Sequence, residues 1–473
     1  MRPFEIAIQC SLGIVLSASS LFPHHRMRWI NYLPFLALLL LIAHLRAEGY
    51  RWQMLPAYAL VILLALLSLW WLRHNQDDKP NKWVRRASIV GLLALGLSVM
   101  WATLLPVSSL PAPTGPHLVG TTSYQFTDET REEVYSAEAN DKREIAVQVW
   151  YPTIPDSNAT RAPWIRQAAT FAPVLAEFLS LPSFALNHLA LLESHSFANT
   201  PLALSDDSYP VLLFSHGWTG FPAVNANQME QLASHGYIVI GIDHTYGALA
   251  TVFPDGRLIK NNPEALPDEE SVPQEVYDRA SNTLVNVYAN DALFMLDQLA
   301  LLNAGQPDDR FTNRLDLQRI GVFGHSTGGG GMVKTCMTDE RCKVGIGLDA
   351  WVKPLGKEGM MEGVTQPFMF MRSEAWIDGE NDEYLAILRQ HSALPHHVLG
   401  ITGTTHRDFT MHSFISPLTT LLGLSGSLDA QRALKIVDDY LLAYFDQHLK
   451  GKKSTLLDAP SAAYPEVQFE IKN

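Results

Sequence analysis

Residues 324–328 read Gly-His-Ser-Thr-Gly, and this pentapeptide limits the folds open to the chain more than any other feature. It follows the run Arg-Ile-Gly-Val-Phe at 319–323, which is typical of a buried strand, and it leads into four consecutive glycines at 328–331. A Gly-x-Ser-x-Gly turn from strand to helix is so tight that its flanking positions cannot carry side chains, and its strain lifts the serine hydroxyl above the sheet edge. The sequence therefore predicts a nucleophile elbow with Ser326 at its tip.

A strand end upstream supplies the next part of the same pattern. Residues 209–218 read Tyr-Pro-Val-Leu-Leu-Phe-Ser-His-Gly-Trp, an apolar strand that breaks at the His-Gly pair. In a fold with such an elbow, the loop after this strand gives one backbone N–H to the developing oxyanion, and the residue after the nucleophile gives the other. The predicted oxyanion donors are therefore the amides of Trp218 and Thr327.

Two strand ends downstream supply an acid and a base. Residues 344–349 read Val-Gly-Ile-Gly-Leu-Asp, and a later strand at 396–403 is closely followed by His406. The chain order Ser, Asp, His is that of the α/β-hydrolase fold. In such a set the histidine takes the serine proton, while the carboxylate holds the imidazole tautomer and stabilises the imidazolium. We therefore predict Ser326, Asp349 and His406 as the catalytic residues.

Other acids and histidines compete for these roles. Glu374 and Asp378 follow the next strand, at 367–371, and are the alternative acids. Adjacent side chains in a strand point to opposite faces, so at most one of His396 and His397 could reach a site. Three more histidines are set aside because they lie in the elbow, at another strand end or too far past the last strand: His325, His244 and His412.

The order of predicted elements agrees with this fold. From Glu144 onward strand signals alternate with helix signals, and a long helix over 281–302 precedes the elbow strand, so a mostly parallel sheet is expected. Apolar residues recur at helical spacing within 164–197, where ordinary core packing and a lid over the acyl pocket are equally compatible with the pattern. The acidic run 254–273, broken by prolines, predicts a surface loop.

Several segments around these residues match one known family at the spacing that the family has. The matching segments are Phe-Ser-His-Gly at 214–217, Leu-Ala-Ser-His-Gly-Tyr-Ile-Val at 232–239, the elbow with its following glycines at 324–329, Leu-Asp-Ala-Trp-Val-Lys-Pro-Leu-Gly at 348–356, Thr-His-Arg-Asp-Phe at 405–409, and the entry segments at 119–122 and 142–152. Over about residues 115–450 the chain resembles the platelet-activating-factor acetylhydrolase family, the plasma-type, calcium-independent phospholipases A2, and its entry segments are similar to those of the bacterial members.

The resemblance implies an acid directly after the strand that follows the elbow, which favours Asp349 over Glu374. It also implies hydrolysis of short or modified acyl esters, plausibly the sn-2 acetyl or oxidised acyl groups of phospholipids. Two positions depart from the pattern of the animal enzymes, because Thr327 and Trp218 replace bulkier or aliphatic residues. The shape of the acyl pocket therefore does not follow from the resemblance.

The N-terminal part of the chain has a different character. Four apolar stretches lie near residues 4–21, 30–45, 55–72 and 88–107, and three of them are long enough to span or nearly span a bilayer. The second is the weakest, since it is short and contains Pro34, so a tilted or interfacial helix is an alternative there. The first could instead be a signal peptide, although no small-residue cleavage site follows it.

Charge predicts how this part is oriented. Basic residues concentrate in the first and third loops, which hold Arg26, Arg28, Arg73, Lys79, Lys82, Arg85 and Arg86, against only Arg2, Arg46 and Arg51 elsewhere. The positive-inside rule then places these two loops in the cytoplasm, so both termini and the hydrolase domain face outward. We expect a multi-pass membrane protein, in a bacterial inner membrane, whose catalytic domain faces the periplasm or exterior.

The predicted domains are a membrane domain at 1–107, a Pro-rich linker at 108–116 that acts as a stiff spacer, and a catalytic domain at 117–473. Through residue 107 the chain has 10 basic and 4 acidic side chains, which leaves 25 basic and 44 acidic ones in the remainder. An acidic catalytic part argues against nucleic acid as a partner. The oligomeric state does not follow from the sequence.

Cofactor motifs are missing from the sequence, which has neither a His-Glu-x-x-His nor a paired Cys-x-x-Cys pattern, and no Lys-Ser/Thr follows the elbow glycines. No metal or other cofactor is predicted. Of the three cysteines, Cys10 lies in the first apolar stretch, while Cys336 and Cys342 flank one turn and could form a disulfide in an oxidising compartment.

These features predict a membrane-anchored serine esterase that acts on an ester or phospholipid substrate. An α/β-hydrolase fold preceded by about four transmembrane helices is the predicted architecture. A general carboxylesterase acting on small or polymeric esters is the alternative within enzymes. A membrane sensor that kept the fold without the chemistry is the alternative outside them.

Overall fold

The computed structural model of the protein describes residues 1–21, 28–74, 82–205, 207–377, 379–394 and 396–471. The loop residues Arg26 and Lys79, used above in the charge argument, lie outside these ranges. The helices are α1 Pro3–Leu21, α2 Leu33–Ala47, α3 Leu55–His74, α4 Lys82–Leu104, α5 Ala168–Phe178, α6 Ala226–Ser234, α7 Gln274–Asn303, α8 Thr327–Thr338, α9 Gly356–Met360, α10 Glu380–His391, α11 Leu418–Leu421 and α12 Ala430–Lys450.

Thirteen strands are formed by the described residues, and eleven of them build one sheet in the order β13-β12-β11-β10-β9-β5-β6-β2-β1-β4-β3. The six strands from β12 to β6 pair in parallel, and β2 joins them antiparallel. The strands are β1 Leu118–Glu132, β2 Lys142–Thr153, β3 Arg161–Pro163, β4 Glu193–Ala198, β5 Tyr209–Ser215, β6 Ile238–Asp243, β7 Ala250–Val252, β8 Leu258–Lys260, β9 Leu315–His325, β10 Cys342–Leu348, β11 Phe368–Ser373, β12 His397–Ile401 and β13 Val467–Ile471.

Both faces of the parallel strands are covered by helices, which explains their continuously apolar sequences. Phe214 and Phe323 point into the core under α6 and α12. Their neighbours Leu213 and Val322 point into the opposite core under α7, α8 and α10. This sheet, with a sharp turn between β9 and α8, is the α/β-hydrolase fold, so the predicted fold class is confirmed.

Helix α7 is longer than the sequence pattern predicts, since it begins at Gln274 rather than near residue 281. Pro273 occupies the position before its first turn, where a proline removes no helical hydrogen bond. Part of the acidic run at 254–273, predicted as a loop, forms β8 and short 3-10 turns. Ala168–Phe178 confirms a helix within 164–197, and its apolar face lies in the main core.

Four N-terminal helices are long and apolar enough to cross a membrane: Pro3–Leu21, Trp29–Ala47, Trp52–His74 and Lys82–Leu104. Pro34 does not interrupt the second one, because it lies in the first turn, where backbone N–H groups have no helical acceptor. Small and apolar residues fill the space between the helices, whereas Leu39 and Leu93 on their outer faces are 65% and 70% exposed. Such an apolar outer surface suits contact with lipid.

The segment between α4 and β1 is bound along the catalytic domain. The amides of Thr114 and Gly115 donate hydrogen bonds to Gln231 Oε1 (2.8 Å) and Ser234 Oγ (3.0 Å) on α6. The helical bundle also contacts this domain, since Trp52 Nε1 donates to the carbonyl of Ala185 at 3.0 Å. The Pro-rich segment, predicted as a stiff spacer, is thus hydrogen-bonded to α6.

Candidate active site

Ser326 stands alone between β9 and α8 in a strained backbone conformation, with φ of 55° and ψ of −121°. A non-glycine residue with positive φ costs free energy and persists where the surroundings impose it, as at functional turns. The surroundings here are tight: a Cβ on Gly324 would lie 2.5 Å from the backbone of Gly328, and one on Gly328 would lie 2.2 Å from the carbonyl oxygen of Ser215. Only glycine fits at both flanks, as the pentapeptide predicts.

Asp349 follows β10, the strand next to β9, so it lies beside the elbow at the carboxyl edge of the sheet. Its side chain is buried, and both carboxylate oxygens accept hydrogen bonds from Ser373, one from the backbone N–H at 2.8 Å and one from the hydroxyl at 2.6 Å. The Oδ2 atom also lies 3.0 Å from His406 Nδ1. Because a carboxylate only accepts, Nδ1 carries the proton and Nε2 is the free nitrogen of this imidazole.

His406 begins a short 3-10 turn after β12 whose start is capped by Thr405 and Asp408. Its ring stacks on Trp376, with centroids 4.1 Å apart and planes 5° from parallel, and its carbonyl oxygen accepts a hydrogen bond from His325 Nε2 at 2.9 Å. The His406 side chain is 26% exposed, so substrate can reach it. Backbone, ring face and Nδ1 are therefore all held while Nε2 stays accessible.

No hydrogen bond joins the Ser326 hydroxyl to His406 in the described part of the chain. Such bonds are often long in proteins without substrate and shorten when it binds. The two residues are neighbours through the elbow, because the rings of His325 and His406 lie 4.4 Å apart. The arrangement thus brings the three predicted catalytic residues to one edge of the sheet.

The competing residues are occupied elsewhere. Glu374 is exposed, and its carboxylate accepts a hydrogen bond from the amide of Gly403 at 2.7 Å. Asp378 lies outside the described residues. His412 bonds to the Thr410 hydroxyl, and burial lowers the pKa of His412 to about 4. Of the other histidines, His244 and His396 are buried, His397 is half-buried, and the ring of His325 packs against that of His406.

Thr327 and the loop that carries Trp218, whose amides are the predicted oxyanion donors, both lie next to Ser326. Thr327 is the first residue of α8, so its N–H belongs to the helix turn whose amides have no helical acceptor and whose dipole favours negative charge. The β5 loop passes very close to the elbow, since a Cβ on Gly217 would lie 3.0 Å from Ser326 Cβ. The Trp218 amide follows directly in this loop.

Ser373 and Trp376 were missed by the sequence reasoning. Ser373 is the last residue of β11, and Trp376 lies in the turn that follows, together with Glu374. A serine at the end of the strand after the one that carries the predicted acid is only a weak sign of a role in the site. A tryptophan three residues later gives no sign of one. Their roles depend on β10, β11 and the His406 turn lying side by side, which only the fold specifies.

Among the described residues, one cluster at an end of the helical bundle brings together three side chains of the types that bind metal ions. The ligand atoms of Glu5, His44 and Glu48 lie within 4.8 Å of one another. Cations already hold these acids, because Arg51 Nη1 and Arg2 Nη2 each lie 2.9 Å from Glu5 Oε1. The cluster therefore resembles an ion-pair network more than a metal site.

Cys336 and Cys342 are paired as a disulfide across the turn between α8 and β10, with Cα atoms 5.2 Å apart. Both side chains are buried. The third cysteine, Cys10, is free and exposed on α1.

The sheet order and the strained serine turn define the class of the protein, an α/β-hydrolase. The sequence model of the family described as platelet-activating factor acetylhydrolase, isoform II, matches residues 104–458. The chain belongs to this family. The match begins at the last residue of α4 and covers the sheet from β1 to β12, so the rest of the four apolar N-terminal helices lies outside it.

Curated relatives agree with this assignment. The platelet-activating factor acetylhydrolases of Gallus gallus and Bos taurus are each 26% identical, over 73% and 85% of this chain and 84% and 90% of the relatives. A protein of Arthroderma benhamiae named as a probable 1-alkyl-2-acetylglycerophosphocholine esterase is 26% identical over 78% of this chain and 95% of its own length. Among solved structures, a ferulic acid esterase from Streptomyces cinnamoneus superposes with a TM-score of 0.64 at 26% identity, over 77% of this chain and 99% of that one. The protein is an esterase, which sets aside a non-catalytic sensor.

Proposed function

We propose that the protein is a membrane-anchored serine esterase that hydrolyses short or modified acyl esters through Ser326, His406 and Asp349. The observation that carries this proposal is the 3.0 Å contact between His406 Nδ1 and the buried Asp349 carboxylate, beside the strained serine turn. That contact leaves Nε2 of the imidazole as a base directed away from the acid.

In the first half of the reaction Ser326 Oγ attacks the ester carbonyl carbon while its proton moves to His406 Nε2. The carbonyl oxygen becomes an oxyanion, which the amides of Trp218 and Thr327 stabilise. Asp349 stabilises the imidazolium. Collapse of the tetrahedral intermediate breaks the carbon–oxygen bond to the leaving alcohol, which takes the proton from Nε2 and leaves an acyl group on Ser326.

In the second half a water molecule attacks the acyl-enzyme carbonyl and gives its proton to Nε2. The same two amides hold the second oxyanion. Collapse then breaks the bond to Ser326 Oγ, which recovers the proton, and the free acid departs. Every proton transfer uses one nitrogen, so the fixed tautomer of His406 serves both halves.

The names of the relatives support an acetyl or similarly short acyl group at the sn-2 position of a phospholipid as substrate. The ferulic acid esterase similarity favours a second candidate, a carboxylesterase acting on other small or polymeric esters. Trp218 near the nucleophile is compatible with either. A panel of esters separates the two.

The experiment uses the full chain in detergent with glycerophospholipids that carry sn-2 acyl groups of two to sixteen carbons, and with aryl and feruloyl esters. We expect the highest kcat/KM for short sn-2 acyl groups and a steep fall with length. A preference for feruloyl or simple alkyl esters would support the second candidate. Hydrolysis of none of these esters, or by the Ser326→Ala variant, would contradict the proposal.

We further propose that residues 1–107 are a four-helix membrane domain, 108–116 a linker and 117–473 the catalytic domain, which faces outward. The lengths and apolar outer faces of α1 to α4 support it, as do the loop charges.

A reporter that is active only after export should be active when fused after residue 115 and silent near residue 81. Thiol labelling of the denatured protein should increase after reduction, because Cys336 and Cys342 are buried in the folded protein and paired in an oxidising compartment. A silent fusion after residue 115 would place the esterase in the cytoplasm.

A further inference from the structure

A second Ser-His-Asp set lies completely buried beneath the elbow. Ser215, the last residue of β5, has its hydroxyl 2.7 Å from His244 Nε2, and His244 Nδ1 lies 2.9 Å from Asp291 Oδ2 on α7. None of the three side chains is more than 1% exposed, so substrate cannot reach them. This buried triad-like set has the hydrogen bonds of a catalytic triad but is not accessible to substrate.

The neighbours of Asp291 and His244 show which atoms of this buried set carry protons. Burial would raise the pKa of Asp291, but the Arg143 guanidinium, with Nε 3.0 Å from Oδ1, and His244 hold that pKa well below its usual value. Asp291 is therefore an anion that accepts from His244 Nδ1–H. Burial lowers the pKa of His244 despite Asp291, so this imidazole is neutral and its Nε2 accepts from the Ser215 hydroxyl.

His216 lies next to this set and is fixed by it. Its Nδ1 is 2.7 Å from the carbonyl oxygen of Gly217, and its Nε2 is 3.2 Å from the backbone N–H of His244. Since the carbonyl only accepts and the amide only donates, His216 carries its proton on Nδ1. Its ring also packs edge-on against His244 (5.1 Å) and Tyr288 (5.7 Å).

The Gly217 carbonyl oxygen is thus held by two donors, His216 Nδ1–H and the amide of Gly220 at 2.9 Å. A trans peptide is planar, and its C=O and N–H point in opposite directions. Fixing the Gly217 carbonyl toward His216 therefore turns the next N–H, that of Trp218, the other way. Within the described residues this amide donates no hydrogen bond, and a Cβ added to Gly217, the residue before it, would lie 3.0 Å from Ser326 Cβ.

We propose that His216 is a positioning residue for the oxyanion site, and that the buried Ser215, His244 and Asp291 set holds it in place. His216 orients the Gly217–Trp218 peptide before substrate arrives, so that no free energy of reorganisation is needed when the oxyanion forms. The inference rests on the proposed function, since it assumes that Trp218 is an oxyanion donor. It assigns no chemistry to Ser215, which stays a structural hydroxyl.

Replacement by Asn and by Phe tests the proposal in the full chain. The Asn side chain can present an N–H where His Nδ1 was, whereas Phe fills the ring volume without a donor. We expect His216→Phe to lower kcat about 10²-fold, the loss typical of one oxyanion donor, with KM little changed. We expect the kcat of His216→Asn to be at least tenfold higher than that of His216→Phe. A packing role alone would give the opposite ranking.

A trifluoromethyl ketone supplies a second measurement, because it forms a charged hemiketal with the nucleophile. Its inhibition constant should rise in His216→Phe by the same factor by which kcat/KM falls. The matched control is His396→Asn, which replaces another buried histidine, one whose ring nitrogens have no partner among the described residues. This control should keep its activity within about threefold, as expected for a site away from the elbow.

Equal kcat and equal inhibition constants for the Phe and Asn variants would overturn the proposal. If His216→Phe does not fold, His216→Ala takes its place in the same ranking. Ser326→Ala is measured in parallel: activity in that variant would contradict the proposed nucleophile, whereas an inactive Ser326→Ala with a fully active His216→Phe would overturn only the role of His216.

Discussion

The two Ser-His-Asp sets of this protein have nearly the same His–Asp distance and opposite surroundings. His406 is 3.0 Å from Asp349, and His244 is 2.9 Å from Asp291. His406 is partly exposed, but His244 is fully buried. The buried set also has a Ser–His hydrogen bond, of 2.7 Å, which the described residues of the exposed set lack. Hydrogen-bond distances alone would therefore select the buried set, which substrate cannot reach.

Backbone and charge make the difference. Ser326 stands on a strained turn at the start of a helix, whereas Ser215 lies in a regular strand. Asp291 is bound by two arginines, Arg131 and Arg143, while Asp349 receives only neutral donors from Ser373 besides His406. A carboxylate neutralised by guanidinium groups has less charge left to stabilise an imidazolium. The comparison teaches that two properties separate a catalytic set from a structural one. The serine is partly exposed, and the carboxylate is not neutralised by arginine.

The largest expected difference concerns the two serines. Ser326→Ala should lower turnover by about 10⁴-fold or more, because nothing else can form the acyl-enzyme. It should also abolish covalent labelling by a fluorophosphonate. Ser215→Ala should keep full labelling and lose less than tenfold in turnover. Labelling that persists in Ser326→Ala and disappears in Ser215→Ala would reverse the assignment.

The acids should differ next. Asp349→Asn should lower kcat by about 10³- to 10⁴-fold, since the amide favours the wrong imidazole tautomer. Glu374→Gln is the control at the neighbouring strand end, and its kcat should change less than threefold. Steady-state kinetics with a short-chain ester measure both. A large loss in Glu374→Gln with a small one in Asp349→Asn would move the acid to the next strand.

Asp291 should matter for stability. Asp291→Asn removes one of the two carboxylates that pair with buried Arg143 and leaves only Glu133, which costs up to about 3–5 kcal/mol in the free energy of unfolding. The folded pKa of Asp291 is depressed, so its contribution is fully present above its unfolded pKa of about 4 and is lost as the pH falls below it. The melting temperatures of the variant and the parent should thus differ by a constant amount from pH 5 to 8 and converge at lower pH. A gap that widens on acidification would contradict the assigned charge.

The smallest expected effect is that of the ring stacked on His406. Trp376→Leu removes an aromatic face that favours the imidazolium formed in the transition state, an interaction of about 0.5–2 kcal/mol. We expect kcat to fall by about tenfold with KM nearly constant, and Trp376→Phe to restore most of it. A Leu variant as active as the Phe variant would show that the stacking does not assist the base.

Much of the fold follows from local sequence. Runs such as 209–215 and 344–348 predict buried strands, and the structure has all of their residues buried. Glycines at 324 and 328 predict the elbow because only hydrogen fits there. Details at element ends were less predictable: Pro34 looked disruptive in a linear reading, but its effect depends on its place in the first helical turn.

The candidate site residues could be predicted from their order in the chain and from their positions at the ends of strands. From the residues alone Asp349 was the predicted acid, with Glu374 and Asp378 as alternatives, and the resemblance to a family further favoured Asp349 over Glu374. The structure adds a reason that no local pattern contains: the hydroxyl and amide of Ser373, on the next strand, hold the Asp349 carboxylate against His406. Which strands are neighbours is a property of the sheet, so this support was invisible in the sequence.

The sequence by itself determined the serine turn, the sheet type, the apolar N-terminal helices and the residues available for catalysis, because each depends on neighbours in the chain. Tertiary structure alone decided which of the many histidines and acids meet, which of them water and substrate can reach, and which are held by arginine. Ser215, His244 and Asp291 come from two strand ends and a helix separated by 29 and 47 residues. Their meeting results from the packing of β5, β6 and α7, since burial and hydrogen-bond geometry are set by the fold as a whole.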